Sequence, residues 1–240
     1  MAGENRVIAV TGASRGIGAA IALELAGRGF TVGCLTRKGG GPEHERCIPI
    51  ACDVTDVTSV RQALATLAER AGNIAGLVNN AGIHLDGKSH ELATGVYDEV
   101  MDTNARGVFV VCREIYPYLA RDGGTIVNIG SFFDKLGVKR NLAYCASKAA
   151  VGAITRCLAV EWAPQKIRVL DVAPGYIETE LNAEAMQKGP LRAFLEARVP
   201  TGGPGSVQDV ARLVAMLFSE DIPYLTGETI YLDGGQGIAH

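Results

Sequence analysis

The sequence has no apolar run approaching the roughly 18 residues that a helix needs to cross a bilayer, and residues 1–6 lack the apolar stretch of a secretory leader. No membrane association is therefore expected, and a cytoplasmic location is. There is no excess of basic charge either. The 23 Lys and Arg against 26 Asp and Glu give a formal net charge of −3 with the signs interspersed, which leaves no basic stripe to track phosphates along a nucleic acid. The charge serves solubility. The six cysteines, Cys34, Cys47, Cys52, Cys112, Cys145 and Cys157, contain no C-x-x-C pair and mostly sit in apolar surroundings, so reduced, buried thiols are expected. His44, His84, His90 and His240 are far apart and lack helical ligand spacing, so no metal centre is expected. Internal repeats and low-complexity tracts are absent.

What remains is the composition of a globular protein, since 48% apolar and 20% charged residues suffice for a large core. No break in composition divides the chain, and 1–240 is expected to form one domain, a size that a single α/β sheet wrapped by helices reaches. Seven short apolar runs, at 6–11, 31–36, 48–52, 76–79, 125–130, 168–173 and 228–232, read as strands. Between them apolar residues recur at steps of three and four, as at Ile17, Ile21 and Leu25 or Val151, Ile154, Leu158 and Trp162, the spacing of helices with one buried face. Alternation of strand and helix implies a parallel sheet, and right-handed crossovers put helices on both of its faces. The expected fold is α/β, a Rossmann-type doubly wound parallel sheet of seven strands. One stretch breaks the rhythm. Residues 176–205 separate the sixth strand from a helix that begins near Ser206, where Asp209 three residues on resembles a cap. Gly189-Pro190 and the glycine-rich 202–205 flank a short amphipathic helix at 191–199, and the insert reads as a lid.

The first strand runs straight into Thr11-Gly12-Ala13-Ser14-Arg15-Gly16-Ile17-Gly18, a turn that opens the helix expected at 17–29. Glycines let the backbone approach a pyrophosphate, and the unpaired amides and positive dipole end of a helix favour an anion there. Glycine spacing alone fits a structural turn equally well; its place between a strand and an amphipathic helix is what points to a dinucleotide. Gly12, Ser14, Arg15, Ile17 and Gly18 are the expected contacts. The end of the second strand decides which nucleotide is held. An acidic side chain there would accept from the ribose hydroxyls and repel a 2′-phosphate, but this chain has Thr36 and Arg37. Arg37, with Arg15 and Lys38, offers charge-assisted hydrogen bonds to that phosphate, and NADP(H) is expected in preference to NAD(H). Two alternatives stand beside this reading: both arginines as solvated surface charges, and Glu43 folded back over the ribose.

Further along, the chain carries Asp53-Val54, Asn79-Asn80-Ala81-Gly82, Asn104 within Asp102-Thr103-Asn104-Ala105-Arg106, Ser131, Tyr144-x-x-x-Lys148, and Pro174-Gly175 followed by Ile177 and Thr179. In this order and at these separations the chain resembles the short-chain dehydrogenases/reductases over nearly its whole length. The resemblance implies that Asp53 and Val54 meet the adenine, that Asn80, Ala81 and Gly82 line the cofactor, and that Pro174, Gly175, Ile177 and Thr179 clamp the nicotinamide. It also implies a catalytic set of Asn104, Ser131, Tyr144 and Lys148, the last two touching the cofactor as well. A homotetramer is implied too, packed through helices near 96–119 and 143–162, with 234–240 near a second interface.

The chemistry of that set follows from its residues. A Tyr and a Lys four apart share one face of a helix and act on one small space. A free phenol has a pKa near 10, so the Lys148 ammonium and an oxidised nicotinamide are expected to lower Tyr144; a fall of about 3 pKa units corresponds to about 4 kcal/mol. Tyr144 then gives its proton to a carbonyl oxygen as hydride arrives at carbon, and reverses both steps in oxidation. Ser131 donates a hydrogen bond to the same oxygen and Lys148 holds the nicotinamide ribose, while Asn104 resembles the family's asparagine that interrupts a helix and anchors a water joining Lys148 to solvent. Each residue singly has a structural alternative, as core tyrosine, turn serine or kink-capping asparagine.

The substrate pocket is expected from His84, Phe133, Leu136, Val138, Leu142, Tyr176 and Met186, mostly apolar, which suits a small ketone or secondary alcohol with hydrophobic bulk. Leu136, Leu142 and Met186 read equally well as core. In length and in its ending, 225–235, the chain is most similar to the 3-oxoacyl-acyl-carrier-protein reductases. Their basic docking positions hold Asp122 and Gln165 here, with Arg121 and Lys166 adjacent, so a free small molecule is favoured over a carrier-bound thioester. Lys139 and Arg140 suit either a solvated loop or attraction of an acidic substrate. Two other functions stay open: an NAD-dependent dehydrogenase working in the oxidative direction, and a non-catalytic NADPH-sensing or interaction protein.

Overall fold

A run such as Val7–Thr11, buried at every residue, can leave neither face in water, so it belongs inside a sheet covered on both sides. The computed structural model describes residues 6–180 and 182–239; the expectations for residues 1–5 and His240 lie outside these. Its strands are β1 (Val7–Thr11), β2 (Thr31–Thr36), β3 (Cys47–Ala51), β4 (Ile74–Asn79), β5 (Gly124–Ile129), β6 (Ile167–Pro174), β7 (Ile177–Glu178), β8 (Gly205–Ser206) and β9 (Thr229–Leu232). Seven of them form one parallel sheet in the order β3-β2-β1-β4-β5-β6-β9. The sheet is the doubly wound one expected, with ends within about two residues of those read from the apolar runs. Strand order reverses between β1 and β4, which opens a crevice beyond their carboxyl ends.

The helices are α1 (Gly16–Gly27), α2 (Val57–Ala71), α3 (Thr94–Met101), α4 (Gly107–Leu119), α5 (Leu142–Trp162), α6 (Ala183–Gln187), α7 (Pro190–Arg198) and α8 (Val207–Ser219). On one face α1 and α8 meet through Ile21, Leu25, Val210, Val214 and Phe218. On the other, α2, α4 and α5 bury Leu64, Leu67, Val111, Ile115, Val151 and Trp162. Each such side chain contributes about 1.5–3 kcal/mol on leaving water. Asp56 caps α2 by accepting from Thr58 N at 2.8 Å, and Ser206 and Asp209 form a reciprocal capping box on α8. Among the described residues no helix is long and apolar enough to cross a membrane.

The helix near 96–119 is interrupted at Asn104, as the family resemblance implies, by a π-turn, Asp102–Arg106, that swings Asn104 inward. The insert holds two helices rather than one, because Gly189 at φ +86° breaks the chain and Pro190 restarts it. Its two ends are tied together by the parallel pair β7 and β8, Gly205 N donating to Tyr176 O at 2.9 Å. Within it Met186, Leu195 and Val199 make a small core against Tyr176 and Leu191.

Candidate active site

The crevice at the strand reversal is built by cross-bonding two turns. Thr11 Oγ1 accepts from the amides of Asn80 and Ala81 at 3.0 and 3.1 Å, and Asn80 Nδ2 donates to the carbonyls of Thr11 and Gly12, each at 3.1 Å. The backbones approach so closely that a Cβ on Gly12, already at φ +67°, would lie 2.9 Å from Ala81 Cα, and one on Gly18 would lie 2.3 Å from the Gly12 carbonyl oxygen. No side chain caps the first amides of α1, which face the turn as an anion cradle.

A cleft of about 500 Å³ opens over this cradle. Its lining includes Gly12, Ser14, Arg15, Ile17, Gly18, Thr36, Arg37, Asp53, Val54, Asn80, Ala81, Gly82 and Thr179, whereas Pro174, Gly175 and Ile177 lie outside it. Leu35, Cys52, Thr55, Ile83 and Glu180 also line it and adjoin residues named from sequence; Glu99 and Thr103 come from α3 and the π-turn, which no spacing linked to a nucleotide. Neither Arg15 nor Arg37 is paired with a carboxylate among the described residues. Asp53 accepts from Thr55 N and Oγ1 at 2.9 and 2.7 Å, and these bonds, more than the nearby Arg37 charge, hold its carboxyl below the usual range. The Thr36 hydroxyl is turned to Gly40, donating to its carbonyl at 2.8 Å and accepting from its amide at 2.9 Å. Glu43 is exposed and does not line the cleft, so the structure does not fold it over a ribose.

Ser131, Tyr144 and Lys148 come together at the carboxyl end of β5. Lys148 Nζ donates to Ile129 O at 2.7 Å and lies 5.6 Å from the centre of the Tyr144 ring. Burial raises the Tyr144 phenol above its ordinary range, and the nearby Ser131 hydroxyl pulls it the other way. The fall expected from sequence drew on an oxidised nicotinamide as well as on Lys148; in the protein alone the shift has the other sign. The ammonium is anchored to a backbone carbonyl, and desolvation of the phenol dominates. Lys148 itself is lowered to about 8 by burial, with Asp171 opposing. Asn104 Nδ2 donates to Ile83 O at 2.8 Å and to Ser147 Oγ at 3.1 Å, and Ser147 Oγ donates to the Tyr144 carbonyl at 2.8 Å, which ties the π-turn to α5.

Beneath the site a second polar chain sets how α5 sits on the sheet. Asn79 Nδ2 donates to Asn128 Oδ1 and Asn128 Nδ2 donates to Thr155 Oγ1, both at 2.9 Å, all three residues being buried. Satisfied buried amides of this kind specify one arrangement of the elements they join. Asparagine inside an apolar strand run was the available signal for Asn128, and the sequence reading passed over it.

Around Tyr144 the structure gathers three of the expected pocket residues. The His84 ring lies 4.5 Å from Tyr144, and the imidazole is hydrogen-bonded to the Asn141 side chain. Phe133 meets both Tyr144 and Tyr176 edge-on at 6.1 Å. Leu136 and Val138 are half-buried on the turn between Ser131 and α5, Leu142 is exposed, and Met186 faces the core of the insert. Arg140 pairs with Asp86 at 2.8 Å. Among the described residues no cluster of three or more His, Cys, Asp or Glu could hold a metal.

The profile of the family described as Enoyl-(Acyl carrier protein) reductase matches residues 12–236. The 3-oxoacyl-(acyl-carrier-protein) reductase FabG of Vibrio harveyi is 35% identical over 239 residues, 97% of each chain. Glucose 1-dehydrogenase of Gluconobacter oxydans is 35% identical over 244 residues, 95% of this chain and 90% of that one. Among solved structures, the aldohexose dehydrogenase of Thermoplasma acidophilum superposes with a TM-score of 0.90 at 32% identity, covering 99% of this chain and 96% of its own.

Proposed function

The chain belongs to the short-chain dehydrogenase/reductase family, and we propose that within it this protein is an NADP(H)-dependent reductase of ketones that runs the oxidation of secondary alcohols on the same residues. The observation that carries this reading is the meeting of Ser131, Tyr144 and Lys148 beside a glycine-walled cleft that holds two unpaired arginines. The cleft fits a dinucleotide because its walls approach where any Cβ would block them, and because free helix amides face it. Arg15 and Arg37 would hold the 2′-phosphate, Asp53 and Val54 the adenine end, and Lys148 with Asn80–Gly82 the nicotinamide end. When bound, the nicotinamide supplies or accepts the hydride at the carbonyl carbon.

Tyr144 gives its phenolic proton to the carbonyl oxygen in reduction and takes it back in oxidation. Burial keeps the phenol protonated, the form that reduction uses. Ser131 donates to the same oxygen as charge grows there. The aromatic wall of His84, Phe133 and Tyr176 favours a ketone with apolar bulk. Segment 176–205 acts as the lid: tied at its neck by β7 and β8, it brings Tyr176 to the pocket and Thr179 to the cleft. Exposed Phe109 and Val160 on α4 and α5 support assembly as a homotetramer, and six free thiols fit the cytoplasm.

A second reading, reduction of a 3-oxoacyl thioester on a carrier protein, is favoured by the Vibrio harveyi relative. Gly124 N donates to Lys166 O at 3.2 Å, which brings Arg121 and Lys166 into adjacent turns despite Asp122 and Gln165. The test follows loss of reduced cofactor when purified protein meets NADPH or NADH with acetoacetyl thioester and a panel of free cyclic and aryl ketones. Turnover of free ketones with NADPH is expected. Thioester turnover alone selects the second reading, and preference for NADH removes the role given to Arg37.

A further inference from the structure

Behind the catalytic set lies a charge that the proposed reaction does not use. Asp171 sits within β6 with no exposed surface, where an apolar residue is the ordinary occupant. Its carboxylate fills the space that Gly130 leaves: a Cβ on Gly130 would lie 2.5 Å from Oδ1 and 2.7 Å from Oδ2. Gly130 lies between Ser131 and Ile129, whose carbonyl accepts the Lys148 ammonium. From the helix side, Gly152, one turn beyond Lys148, faces the same carboxylate, a Cβ there coming into ordinary contact with Oδ2 at 4.0 Å and with Arg156 Nη1 at 3.4 Å. Oδ2 accepts from Thr229 Oγ1 at 3.3 Å, and Oδ1 has no partner among the described residues. A carboxylate so buried and so sparsely bonded stays ionised only opposite a cation. Lys148, bonded to the carbonyl of Ile129 next to Gly130, is the cation whose charge opposes the rise of Asp171, although the two form no direct ion pair within 4.0 Å. The other charged or titratable groups nearby are Arg156 on α5, Asp134 in the turn after Ser131, and Tyr231 on β9, whose hydroxyl donates to Asp134 at 2.8 Å.

We propose that Asp171 is a positioning residue that acts through Lys148, its carboxylate being the counter-charge that keeps the buried ammonium protonated and seated against Ile129 beside Tyr144. The two groups act on each other in the direction this requires. Burial lowers Lys148 to about 8 while Asp171 opposes the fall, and burial raises Asp171 to about 6 while Lys148 opposes the rise. Removing the carboxylate leaves desolvation of the lysine unopposed, so its proton is lost at lower pH. Its consequence for turnover rests on the reading of Lys148 as part of the catalytic set.

The test is the titration of Lys148 by NMR of lysine labelled with 13C at Cε, the resonance being assigned by its loss in Lys148→Met. In Asp171→Asn the midpoint is expected to fall by about 1 pH unit or more. The alkaline limb of kcat/KM moves down with it, and the KM for NADPH rises above the new midpoint. An unmoved midpoint overturns the proposal. Should Asp171→Asn not fold, Asp171→Ser, which also removes the charge, is expected to give the same fall, and no fall overturns the proposal equally. A wild-type protein that reduces no carbonyl while the midpoint still moves removes the functional reading and leaves the charge pair. Turnover with an unmoved midpoint removes the charge pair alone.

Discussion

Two glycines of α1 are expected to respond in opposite directions to the same substitution. A Cβ at Gly18 would stand 2.3 Å from the Gly12 carbonyl oxygen and 2.4 Å from Asn80 Nδ2, whereas ordinary contact begins at 3.4 Å. Neither neighbour yields freely, because one is backbone and the other is hydrogen-bonded to that backbone. Gly18→Ala must therefore push α1 from the turn by about 1 Å or break the Asn80 bridge. Overpacking costs about 1–3 kcal/mol and the lost hydrogen bond about 1 kcal/mol more. At roughly 2–4 °C per kcal/mol for a chain of this size, the melting temperature should fall by about 4–16 °C. Gly27, in the last turn of the same helix, meets nothing within 4 Å. Gly27→Ala should raise stability by about 0.4–1 kcal/mol through the unfolded chain. Circular dichroism melts of both variants, with NADPH titrations followed by fluorescence, make the comparison; binding should weaken at least about tenfold in Gly18→Ala, the cost of about 1.4 kcal/mol, and stay unchanged in Gly27→Ala. Equal melting temperatures and equal affinities would refute the account of the cradle.

Arg37→Ala should weaken NADPH binding by roughly 5–30-fold, the loss of a solvent-screened charge-assisted contact of about 1–2 kcal/mol, with NADH binding unchanged. Equal losses for both cofactors would place Arg37 elsewhere. The buried pair also shapes stability against pH. Asp171, raised to about 6 from an unfolded value near 3.8, adds stability that is complete below about pH 3.8 and lost as pH rises through 6. Lys148, lowered to about 8 from 10.5, adds stability that is complete above about pH 10.5 and lost as pH falls through 8. Between pH 6 and 8 neither contribution remains, so a Lys148→Met/Asp171→Asn double variant should exceed the wild type there by about 1–4 kcal/mol. Urea unfolding across pH checks this; an advantage that is smallest near pH 7 has the wrong sign.

The strands were legible because runs such as 6–11 and 168–173 are mostly apolar, and the cradle because its glycines fall between a strand and a helix. The short pair β7 and β8 left no trace, since two residues carry no periodicity. The resemblance marked a break in the helix at Asn104, but its form as a π-turn, Asp102–Arg106, left no trace because helical spacing continues across it. Asp171 and Asn128 were visible as polar letters in buried strands, yet the apolar average of the run masked them. Tyr144 shows a different limit. Residue type and a four-residue spacing set the partners, but the sign of its pKa shift depends on how deeply the phenol is buried and where the Lys148 ammonium points.

The central claim is that Tyr144 is the proton donor of a carbonyl reduction at this site. Tyr144→Phe removes one oxygen and leaves the ring contacts with His84 and Phe133 in place. On the ketone that the wild type turns over best, kcat is expected to fall by about 100-fold or more, the ordinary worth of a positioned acid, while NADPH affinity stays unchanged. A variant that binds NADPH equally well and keeps wild-type kcat would contradict the account.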